Sequence, residues 1–416
     1  MITVEDALQR IVAHCRLLEP ERVTVDRADG RVLAQDVVAE VALPPFDNAA
    51  MDGFALQCAG ATLPAGREFE VIGVQAAGDA EAGPARGVWR IMTGAALPPG
   101  TDTVVPVEQA EVLARGPVGE PVRIRLDAEV WPGQHVRHAG EDIMPGARVL
   151  AAGARIGATE RMALAALGVG AVTVRRRPRA ALISTGRELV DDPAQPLAAS
   201  HIRNCNGPYL ASVLEARGVD VVLRATIADD PRHYAAVLRE ALALGCDLLV
   251  STGAVSMGEF DFVPGVLQDL GAEAVFHKVR MRPGKPLLFA VMPGGALYFG
   301  LPGNPVSAAV GMRFFVETAL RAMSGQPRER ALRVPLREPV RKKAGMRHFQ
   351  KARLEADGEG RLGVRMLPGQ ESFRILPLVQ ANAWALLPEA AEALDAGSLI
   401  EVYGLASDAI VLGENA

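Results

Sequence analysis

The sequence predicts a multidomain fold that combines α/β and β structure, on the basis of three observations. From residue 177 to about 326, apolar strand-like runs alternate with helical stretches, which is typical of a doubly wound, mostly parallel sheet with helices on both faces. Residues 68–126 and the stretch after Pro327 contain short alternating runs separated by Gly and Pro, which indicates β modules. A chain of 416 residues is also too long for one ordinary domain.

The composition excludes several classes of protein. The formal net charge of −5 leaves no global basic field for nucleic acid, and the apolar runs fall well short of the roughly 20 residues that cross a bilayer. The N-terminus is acidic where a signal peptide would be basic. Because the cysteines are scattered without a CxxC pair, we predict buried free thiols in a cytoplasmic protein at Cys15, Cys58, Cys205 and Cys246.

The first 55 residues predict one helix, two short strands and a broken segment. Thr3 begins a capping-box pattern, and apolar residues at helical spacing predict a helix that ends near His14. We interpret the two strand-like runs that follow as scaffold. The segment 43–55 contains two prolines and two aspartates. A turn cap explains Asp47, whereas Asp52 is a candidate functional residue.

Three further features precede the α/β stretch. Residues 136–143 place basic residues beside Glu141 and Asp142, and a solvated turn explains this pattern as well as a functional site does. Residues 159–167 predict a helix that a glycine ends. Three arginines before a proline at 175–178 are more typical of a linker or an interface than of a DNA-binding surface.

Open α/β sheets bind ligands at the carboxyl ends of their strands, near the switch in strand order. The candidate residues of the α/β stretch lie at such ends, in Ser184–Thr185–Gly186 with Glu188, in Asp229–Asp230 and in the loop 251–261. That loop can offer N–H groups to an anion, with Asp261 placed to hold a divalent cation beside a phosphate. A plain strand-to-helix connection explains the loop equally well, since it is neither a Walker A loop nor a GxGxxG fingerprint.

Two later turns carry positive charge and a helix N-terminus. The charge surrounds a Pro-Gly turn and suits a phosphate or another oxyanion, with Lys278, Arg282 and Lys285 as its carriers. The stretch 300–307 predicts the start of a helix that ends near Met323, with Asn304 as its N-cap. Its glycines let an anion approach the free N–H groups. A well-capped helix explains Asn304 but leaves Gly303 unexplained.

The region after Pro327 predicts short strands of a small terminal barrel or sandwich. Three polar residues in it, Arg347, Lys351 and Ser372, carry little specificity by themselves. A surface position is the simplest explanation for each of them.

Seven motifs occur in the order that a known family shows. They are PPFDNAAMDGFA at 44–55, RIMTGAALPPGTDTVVPVE at 90–108, GED at 140–142, ISTGREL at 183–189, STGAVSMGEFD at 251–261, RPGKP at 282–286 and GLPGNPVS at 300–307. Together they resemble the molybdopterin molybdenumtransferases, which insert molybdenum into molybdopterin and are similar to the C-terminal domain of gephyrin. The resemblance runs over residues 4–402.

The resemblance implies four structural parts and a homodimer. The parts are an elongated α+β domain at 1–45 and 140–176, an inserted β domain at 46–139, an α/β molybdopterin-binding domain at 177–326 and a C-terminal β-barrel at 327–412. The active-site cleft of family members lies between the α/β domain of one subunit and the inserted domain of the other. Contact with the molybdopterin adenylyltransferase and with cofactor-receiving enzymes is a further expectation.

The resemblance also implies the reaction, in which adenylylated molybdopterin and molybdate give molybdenum cofactor and AMP with Mg²⁺ as cofactor. Both substrates are anions, so a metal and fixed positive charges must offset their repulsion, and carboxylate oxygens suit Mg²⁺.

The implied residue roles fall into four groups. The resemblance assigns metal and pyrophosphate binding to Asp261, Glu188 and Asp229. Catalytic carboxylates from the other subunit are Asp52 and Asp142. The pterin substrate lies on Thr185, Gly186, Ser251, Gly253, Ser256, Gly303 and Asn304. Molybdate and the terminal phosphate are held by Lys278, Arg282, Lys285, Ser307, Lys351 and Ser372.

Three positions depart from the family's pattern. The family has Gly-Gly where this chain has Gly253-Ala254, a lysine at Arg282 and an arginine at Lys351. The two basic exchanges keep the charge but change its geometry, and Ala254 adds a side chain where a backbone needs close approach or a positive φ.

Two alternatives compete with this enzyme. One is a non-catalytic scaffold that retains the dimer, against which the complete acidic set argues. The other is insertion of tungsten, which the sequence does not separate from molybdenum.

Overall fold

The computed structural model describes residues 1–80, 87–254 and 262–406. Within these residues, three six-stranded sheets organise the chain. One of them carries helices on both faces and the other two belong to β modules, so the predicted combination of α/β and β structure is confirmed. In the same part of the chain, no helix combines the length and the apolar character that crossing a membrane requires.

The chain begins with α1 (Val4–His14), which is capped as predicted. The Thr3 hydroxyl accepts a hydrogen bond from the Asp6 backbone N–H at 3.0 Å, and the Asp6 carboxylate accepts one from the Thr3 N–H at 3.3 Å. The buried face of α1 packs against the core of the α/β sheet through Val4, Ala7 and Ile11. The first helix therefore covers part of a sheet that begins far along the chain.

Two strands, β1 (Pro20–Thr24) and β2 (Val37–Val38), lead into the first β module. Its strands are β3 (Asn48–Ala49), β4 (Gly53–Leu56), β5 (Glu68–Gln75), β6 (Val88–Ile91), β7 (Thr103–Pro106), β8 (Ala110–Arg115), β9 (Pro121–Leu126) and β10 (Val136–Arg137). Six of them form a sheet in the order β7-β4-β6-β5-β9-β8. A Cβ on Gly53 would lie 2.0 Å from the Val105 carbonyl oxygen, so this pairing requires glycine.

The chain then returns to its first strands. The returning elements are β11 (Arg148–Leu150), α2 (Ala158–Ala166) and β12 (Ala171–Arg175). Strand β12 pairs antiparallel with β1, and β11 pairs antiparallel with β2. In sequence, the first β module thus lies between strands β1 and β2 and their pairing partners β12 and β11. This is the arrangement expected of a module inserted into another domain. The domain boundaries themselves stay predictions.

The arginine cluster at 175–178 forms an interface, one of the two alternatives predicted for it. Arg176 donates two hydrogen bonds to the Asp247 carboxylate, at 2.7 and 2.6 Å, and one to Glu19 at 3.0 Å. Asp247 immediately precedes a strand of the α/β sheet. Arg176 therefore ties the first segment to that sheet.

The α/β sheet is doubly wound and mostly parallel. Its region contains β13 (Arg179–Thr185), β14 (Leu189–Val190), β15 (Ile202–Arg203), α3 (Asn206–Ala216), β16 (Asp220–Ile227), α4 (Pro231–Ala243), β17 (Leu248–Thr252), α5 (Val263–Asp269), β18 (Glu273–His277), β19 (Met281–Arg282), β20 (Leu288–Val291) and β21 (Leu297–Leu301). The strand order is β16-β13-β17-β21-β20-β18. Only β20 runs against its neighbours β21 and β18, as expected for a mostly parallel sheet.

The side chains of this sheet alternate between two cores. On one face, Leu182 belongs to the cluster that includes α1 and α3. On the other face, its neighbour Ile183 belongs to the cluster formed with Tyr234 of α4 and Leu267 of α5. Helices therefore cover both faces, as predicted.

The last helical stretch of this region consists of α6 (Pro305–Gly311), a π-helical turn (Met312–Val316) and α7 (Glu317–Met323). Its extent agrees with the predicted helix, but the π turn was not predicted. Arg313 lies in this turn and is buried. Its guanidinium donates two hydrogen bonds of 2.8 Å to the Glu329 carboxylate and one of 3.0 Å to the Gly404 carbonyl, which joins the helix to the C-terminal module.

The C-terminal module contains β22 (Leu332–Pro335), β23 (Val340–Arg341), β24 (Arg347–Ala356), β25 (Leu362–Met366), α8 (Leu376–Gln380), β26 (Ala383–Leu387), β27 (Ala393–Leu394) and β28 (Leu399–Gly404). Its sheet has the order β19-β24-β26-β28-β22, and β25 pairs with the second half of β24, from Ala352 to Ala356. A bridge between Leu336 and Val364 brings the end of β22 to β25. The sheet thus curves back on itself, which favours the predicted barrel over the sandwich.

The four cysteines are free thiols, as predicted, but the prediction that all four are buried is wrong. Cys58 and Cys246 are buried and Cys15 is half-buried, whereas Cys205 is exposed. Burial raises the pKa of Cys15 to about 12. Cys205 is exposed because it immediately precedes α3 at the rim of an open cleft.

Candidate active site

A cleft of about 770 Å³ opens at the carboxyl ends of β13 and β17. These strands are neighbours, and the connection from β13 runs to β16 on one side while β17 lies on the other. This is the switch in strand order where α/β folds bind ligands. The predicted site residues that line the cleft are Thr185, Gly186, Glu188, Asp229, Gly253, Gly303 and Asn304.

The turn after β13 forms one wall of the cleft. The buried Thr185 hydroxyl donates a hydrogen bond to the Thr252 carbonyl at 3.1 Å, which joins the ends of β13 and β17. A Cβ on Gly186 would lie 2.7 Å from one carboxylate oxygen of Glu188 and 2.8 Å from the other. The absence of a side chain at Gly186 thus leaves room for the half-buried Glu188 carboxylate beside the turn.

The turn after β17 comes very close to the first turn. Gly253 has a φ of +90°, and a Cβ there would lie 2.5 Å from the Thr185 hydroxyl oxygen. Ala254 follows with a φ of +49°, in the left-handed region that costs a non-glycine residue roughly 1–2 kcal/mol. The expectation that position 254 takes a positive φ is therefore confirmed.

The start of α6 lines the opposite side of the cleft. A Cβ on Gly303 would lie 3.9 Å from the Gly253 Cα, so the two backbones pass close to each other. Asn304 occupies the N-cap position and Pro305 the first helical position, as predicted, although the Asn304 side chain makes no capping hydrogen bond. Pro305 has no N–H group, and the Val306 N–H donates to the Ser372 carbonyl at 3.0 Å.

The start of α3 supplies site residues that sequence reasoning missed. The Asn206 side chain donates a hydrogen bond to the Gly303 carbonyl at 2.7 Å. The Asn204 side chain bonds Asp191 at 2.9 Å and Thr226 at 3.0 Å, and its oxygen accepts from the Gly207 N–H. Both asparagines line the cleft. The signal in the sequence was a pair of asparagines between a strand and a helix.

The carboxylates predicted in the α/β region fall into three groups. Glu188 and Asp229 line the cleft. The neighbouring Asp230 instead caps α4, accepting a hydrogen bond from the Arg232 N–H at 2.9 Å. Asp261 and Ser256 lie outside the described residues. Within residues 1–80, 87–254 and 262–406, no three His, Cys, Asp or Glu side chains form a group that could hold a metal ion.

The predicted cations surround the turn after β19. Arg282 and Lys285 are exposed, Lys278 is half-buried, and Pro286 of the same turn lines the cleft. Arg282 is paired with His348 across β19 and β24. Burial, followed by the charges of Lys342 and Arg282, lowers the pKa of His348 to about 4, so this imidazole adds no positive charge at neutral pH. Ser307 is buried beneath the turn, and its carbonyl lies 3.5 Å from a Cβ built on Gly284.

Three family models match successive parts of the chain. The MoeA N-terminal region (domain I and II) matches residues 2–168, a probable molybdopterin binding domain matches residues 181–322, and the MoeA C-terminal region (domain IV) matches residues 333–405. A molybdopterin molybdenumtransferase from Synechococcus elongatus is 38% identical over 392 residues, which cover 92% of this chain and 94% of that protein. This chain belongs to the molybdopterin molybdenumtransferase family. It is a transferase of molybdenum cofactor biosynthesis.

Other relatives and solved structures agree with this membership. A molybdopterin molybdenumtransferase from Bacillus subtilis is 33% identical over 413 residues, covering 96% of this chain and 93% of that protein. The crystal structure of a molybdopterin biosynthesis MoeA protein from Pyrococcus horikoshii superposes with a TM-score of 0.78 at 27% identity. It covers 97% of this chain and 99% of that one, so the multidomain fold is common to both.

Lys351 is the first residue whose predicted role this transferase does not support. Its side chain is 0% exposed, and its ammonium donates hydrogen bonds to the carbonyls of Gly369 at 2.7 Å, Glu371 at 3.2 Å and Arg374 at 3.2 Å. An ammonium has three protons, so all of them have backbone partners. The prediction that Lys351 binds an oxyanion directly is therefore wrong. The simpler explanation of Lys351 as a surface residue is wrong as well.

Ser251, the first residue of the motif STGAVSMGEFD, is the second residue whose predicted role the structure does not support. Its side chain is 0% exposed and faces the hydroxyls of Tyr234 and Tyr298, which lie 2.6 Å apart. Burial raises the pKa of both tyrosines. Because Ser251 points to the α4 side of the sheet, its hydroxyl cannot touch a substrate in the cleft, although the following Thr252 lines it.

Asp52 and Asp142 lie in and beside the first β module and do not line the described cleft of their own chain. The Asp52 carboxylate accepts two hydrogen bonds of 2.7 Å, from the Thr93 N–H and hydroxyl. These bonds lower the pKa of Asp52, so it is ionised at neutral pH. Asp142 is exposed, and its backbone N–H donates to the Leu43 carbonyl at 3.0 Å.

Proposed function

We propose that this transferase inserts molybdate into adenylylated molybdopterin in the cleft and releases AMP with the help of Mg²⁺. The observation that carries the proposal is the cleft itself, where three backbone turns meet two carboxylates at the switch point of the sheet. The relatives are named for molybdenum transfer to molybdopterin. A phosphate-linked pterin fits such a place, because open α/β sheets bind phosphates through backbone N–H groups at strand ends.

The turns at Gly186, Gly253 and Gly303 would hold the pterin substrate. A side chain at Gly186 would collide with the Glu188 carboxylate, and one at Gly253 would collide with Thr185, so glycine at these two positions keeps the turns compact beside the cleft. Asn206 fixes the Gly303 carbonyl through its 2.7 Å hydrogen bond and thereby holds the third turn. Lys278, Arg282 and Lys285 would attract molybdate electrostatically, since positive charge near the rim offsets repulsion between two anionic substrates.

The carboxylates of Glu188 and Asp229 fit a magnesium site, with Asp261 as a further ligand. They supply hard oxygen donors, which Mg²⁺ prefers, and the missing side chain at Gly186 leaves room for the Glu188 carboxylate itself. When bound, Mg²⁺ would neutralise phosphate oxygens and polarise the phosphorus. The chain's own contribution is to place two carboxylates beside the turns that would bind the phosphate.

The test is release of AMP from adenylylated molybdopterin by the purified protein. We expect release that requires both molybdate and Mg²⁺ and that a chelator abolishes. Asp229→Asn should reduce the rate by roughly 100-fold, because it removes one charged metal ligand. Binding of the pterin without AMP release under any condition would overturn the proposal and favour the scaffold alternative.

The matched control is Asp230→Asn. It removes the same charge from the adjacent residue, but asparagine is as good an N-cap for α4 as aspartate. We expect wild-type AMP release from this variant. Equal losses in both variants would show that general charge near the cleft is responsible, rather than a metal ligand at Asp229. Tungstate in place of molybdate in the same assay measures the preference between the two oxyanions.

A further inference from the structure

We infer that Lys351 is a positioning residue that holds one wall of the active-site cleft in place without touching the substrate. This inference rests on the proposed function, because it concerns the same cleft. It is carried by the hydrogen bonds between the Lys351 ammonium and a segment of the C-terminal module, residues 367–374, which we call the wall segment. The segment lies between β25 and α8 and reaches the cleft through Phe373.

The wall segment is folded around Lys351. The ammonium donates to the carbonyls of Gly369, Glu371 and Arg374, so it holds the backbone on both sides of Ser372. The backbone of Lys351 takes part as well: its N–H donates to the Gln370 side chain at 3.0 Å, and its carbonyl accepts from the Leu367 N–H at 3.0 Å and from the Gln370 amide at 2.8 Å.

The wall segment contacts the start of α6. The Val306 backbone N–H donates a hydrogen bond to the Ser372 carbonyl at 3.0 Å. Val306 follows Asn304 and Pro305, which line the cleft together with Phe373. A continuous path of hydrogen bonds therefore leads from Lys351 on β24 through the wall segment to the helix start that faces the substrate.

The chemistry of this contact explains why a cation occupies a buried position. Three carbonyl oxygens converge on one point, and each buried carbonyl needs a donor. A neutral, apolar side chain would leave all three without that partner, so the segment would have to rearrange. Ser372 and Phe373 lie within the held stretch and would move with it. Misplacement of cleft residues by a distant change is a recognised route to lost activity.

The inference also changes how the oxyanion is held. With its three protons bound to carbonyls, the Lys351 ammonium offers no donor to molybdate. Direct electrostatic attraction then falls to Lys278, Arg282 and Lys285 around the Pro-Gly turn, of which Arg282 and Lys285 are exposed. Lys351 would act on molybdate only through the position of Ser372.

The experiment compares Lys351→Met and Lys351→Arg with Lys342→Met as a matched control. The Lys342 ammonium also donates to three backbone carbonyls of the same module, those of Lys343, Met346 and Glu389, but this turn is not the wall segment. We expect Lys351→Met to raise the KM for molybdate by roughly 10- to 100-fold with a smaller change in kcat. Lys351→Arg should recover most of the loss, and Lys342→Met should resemble wild type.

A second readout does not depend on activity. In hydrogen exchange of the full-length protein, the amides of Val306 and Leu367 should exchange faster in Lys351→Met than in wild type and in Lys342→Met. Unchanged exchange together with a raised KM would overturn the inference, because Lys351 would then act as a direct ligand. Equal effects of Lys351→Met and Lys342→Met on KM would also overturn it. Inactive wild-type protein would contradict the proposed function, while the exchange result would still decide the role of Lys351.

Discussion

At the scale of the residue, glycines that carry no side chain shape the cleft as much as the side chains that line it. Gly253 brings the turn after β17 within reach of Thr185, whose hydroxyl then joins the two strand ends. Side chains enter the cleft where the backbone has left them room, as at Glu188. Backbone conformation at two or three residues thus decides whether the side chains of the cleft can lie close together.

We predict that Gly253→Ala lowers kcat/KM for AMP release by roughly 10- to 100-fold. The added Cβ would lie 2.5 Å from the Thr185 hydroxyl oxygen and 2.6 Å from its carbonyl oxygen, so the two turns must separate. Gly245→Ala is the matched control. Gly245 has a similar positive φ of +70° but nothing within 4 Å of its Cβ position. Activity that falls equally in both variants would attribute the effect to backbone strain alone.

Several site residues could be predicted because their backbone context is visible in a sequence. Thr185, Gly186 and Gly253 follow apolar runs that end in turns, and strand ends are where such sheets bind ligands. The prediction of Ser251 was wrong for an equally physical reason. Successive side chains of a strand point to opposite faces, and an apolar run buried on both faces does not show which face the serine takes.

At the scale of the element, the long helix from α6 to α7 links the cleft to the C-terminal module. It begins at the cleft with Asn304 and Pro305, and its π turn carries the buried Arg313. The extent of this helix could be predicted from its cap and periodicity. The π turn could not, because it depends on partners in other parts of the chain, Glu329 and Gly404, whose approach no local pattern reveals.

Removing the carboxylate that binds Arg313 should destabilise the protein substantially. The side chain of Arg313 is 3% exposed and that of Glu329 is 18% exposed. Glu329→Ala would remove the closer of two neighbouring carboxylates and leave Glu317 at 3.5 Å from the buried guanidinium. We predict a loss of about 3 kcal/mol in the free energy of unfolding, measured in urea. Glu359→Ala removes an exposed pair with Arg361 and should cost less than about 1 kcal/mol. Similar losses in the two variants would contradict a special role of the π turn.

At the scale of the whole molecule, the fold is a set of modules that pair across long sequence distances. The sequence predicted each sheet from local alternation, and the parallel order of the central sheet follows from alternating strands and helices. The sequence did not distinguish a barrel from a sandwich in the C-terminal module. The contact that decides between them, the bridge between Leu336 and Val364, is not a local feature. The separation of Asp52 from the cleft of its own chain agrees with the role that the family resemblance implies for it, whereas no local sequence pattern reveals it.

We predict that Asp52 acts on the cleft of a second subunit in a homodimer. Dimers can be isolated in which one chain carries Asp52→Asn and the other Asp229→Asn. Each such dimer would keep one intact site and release AMP at about half the wild-type rate. A dimer that pairs the double variant with wild type would keep none and be inactive. The reverse pattern of activities would place Asp52 in the cleft of its own chain.

The order in which the walls of the cleft occur along the chain has a consequence for its synthesis. Domains fold as they are made, beginning from the N-terminus. The turns at Gly186, Gly253 and Gly303 are made first, and Phe373, on the last wall of the cleft, is made after all of them. A growing or prematurely ended chain that lacks the wall segment therefore carries an open groove. Only a chain that extends beyond Phe373 has every wall of the cleft, so the order of synthesis itself delays activity.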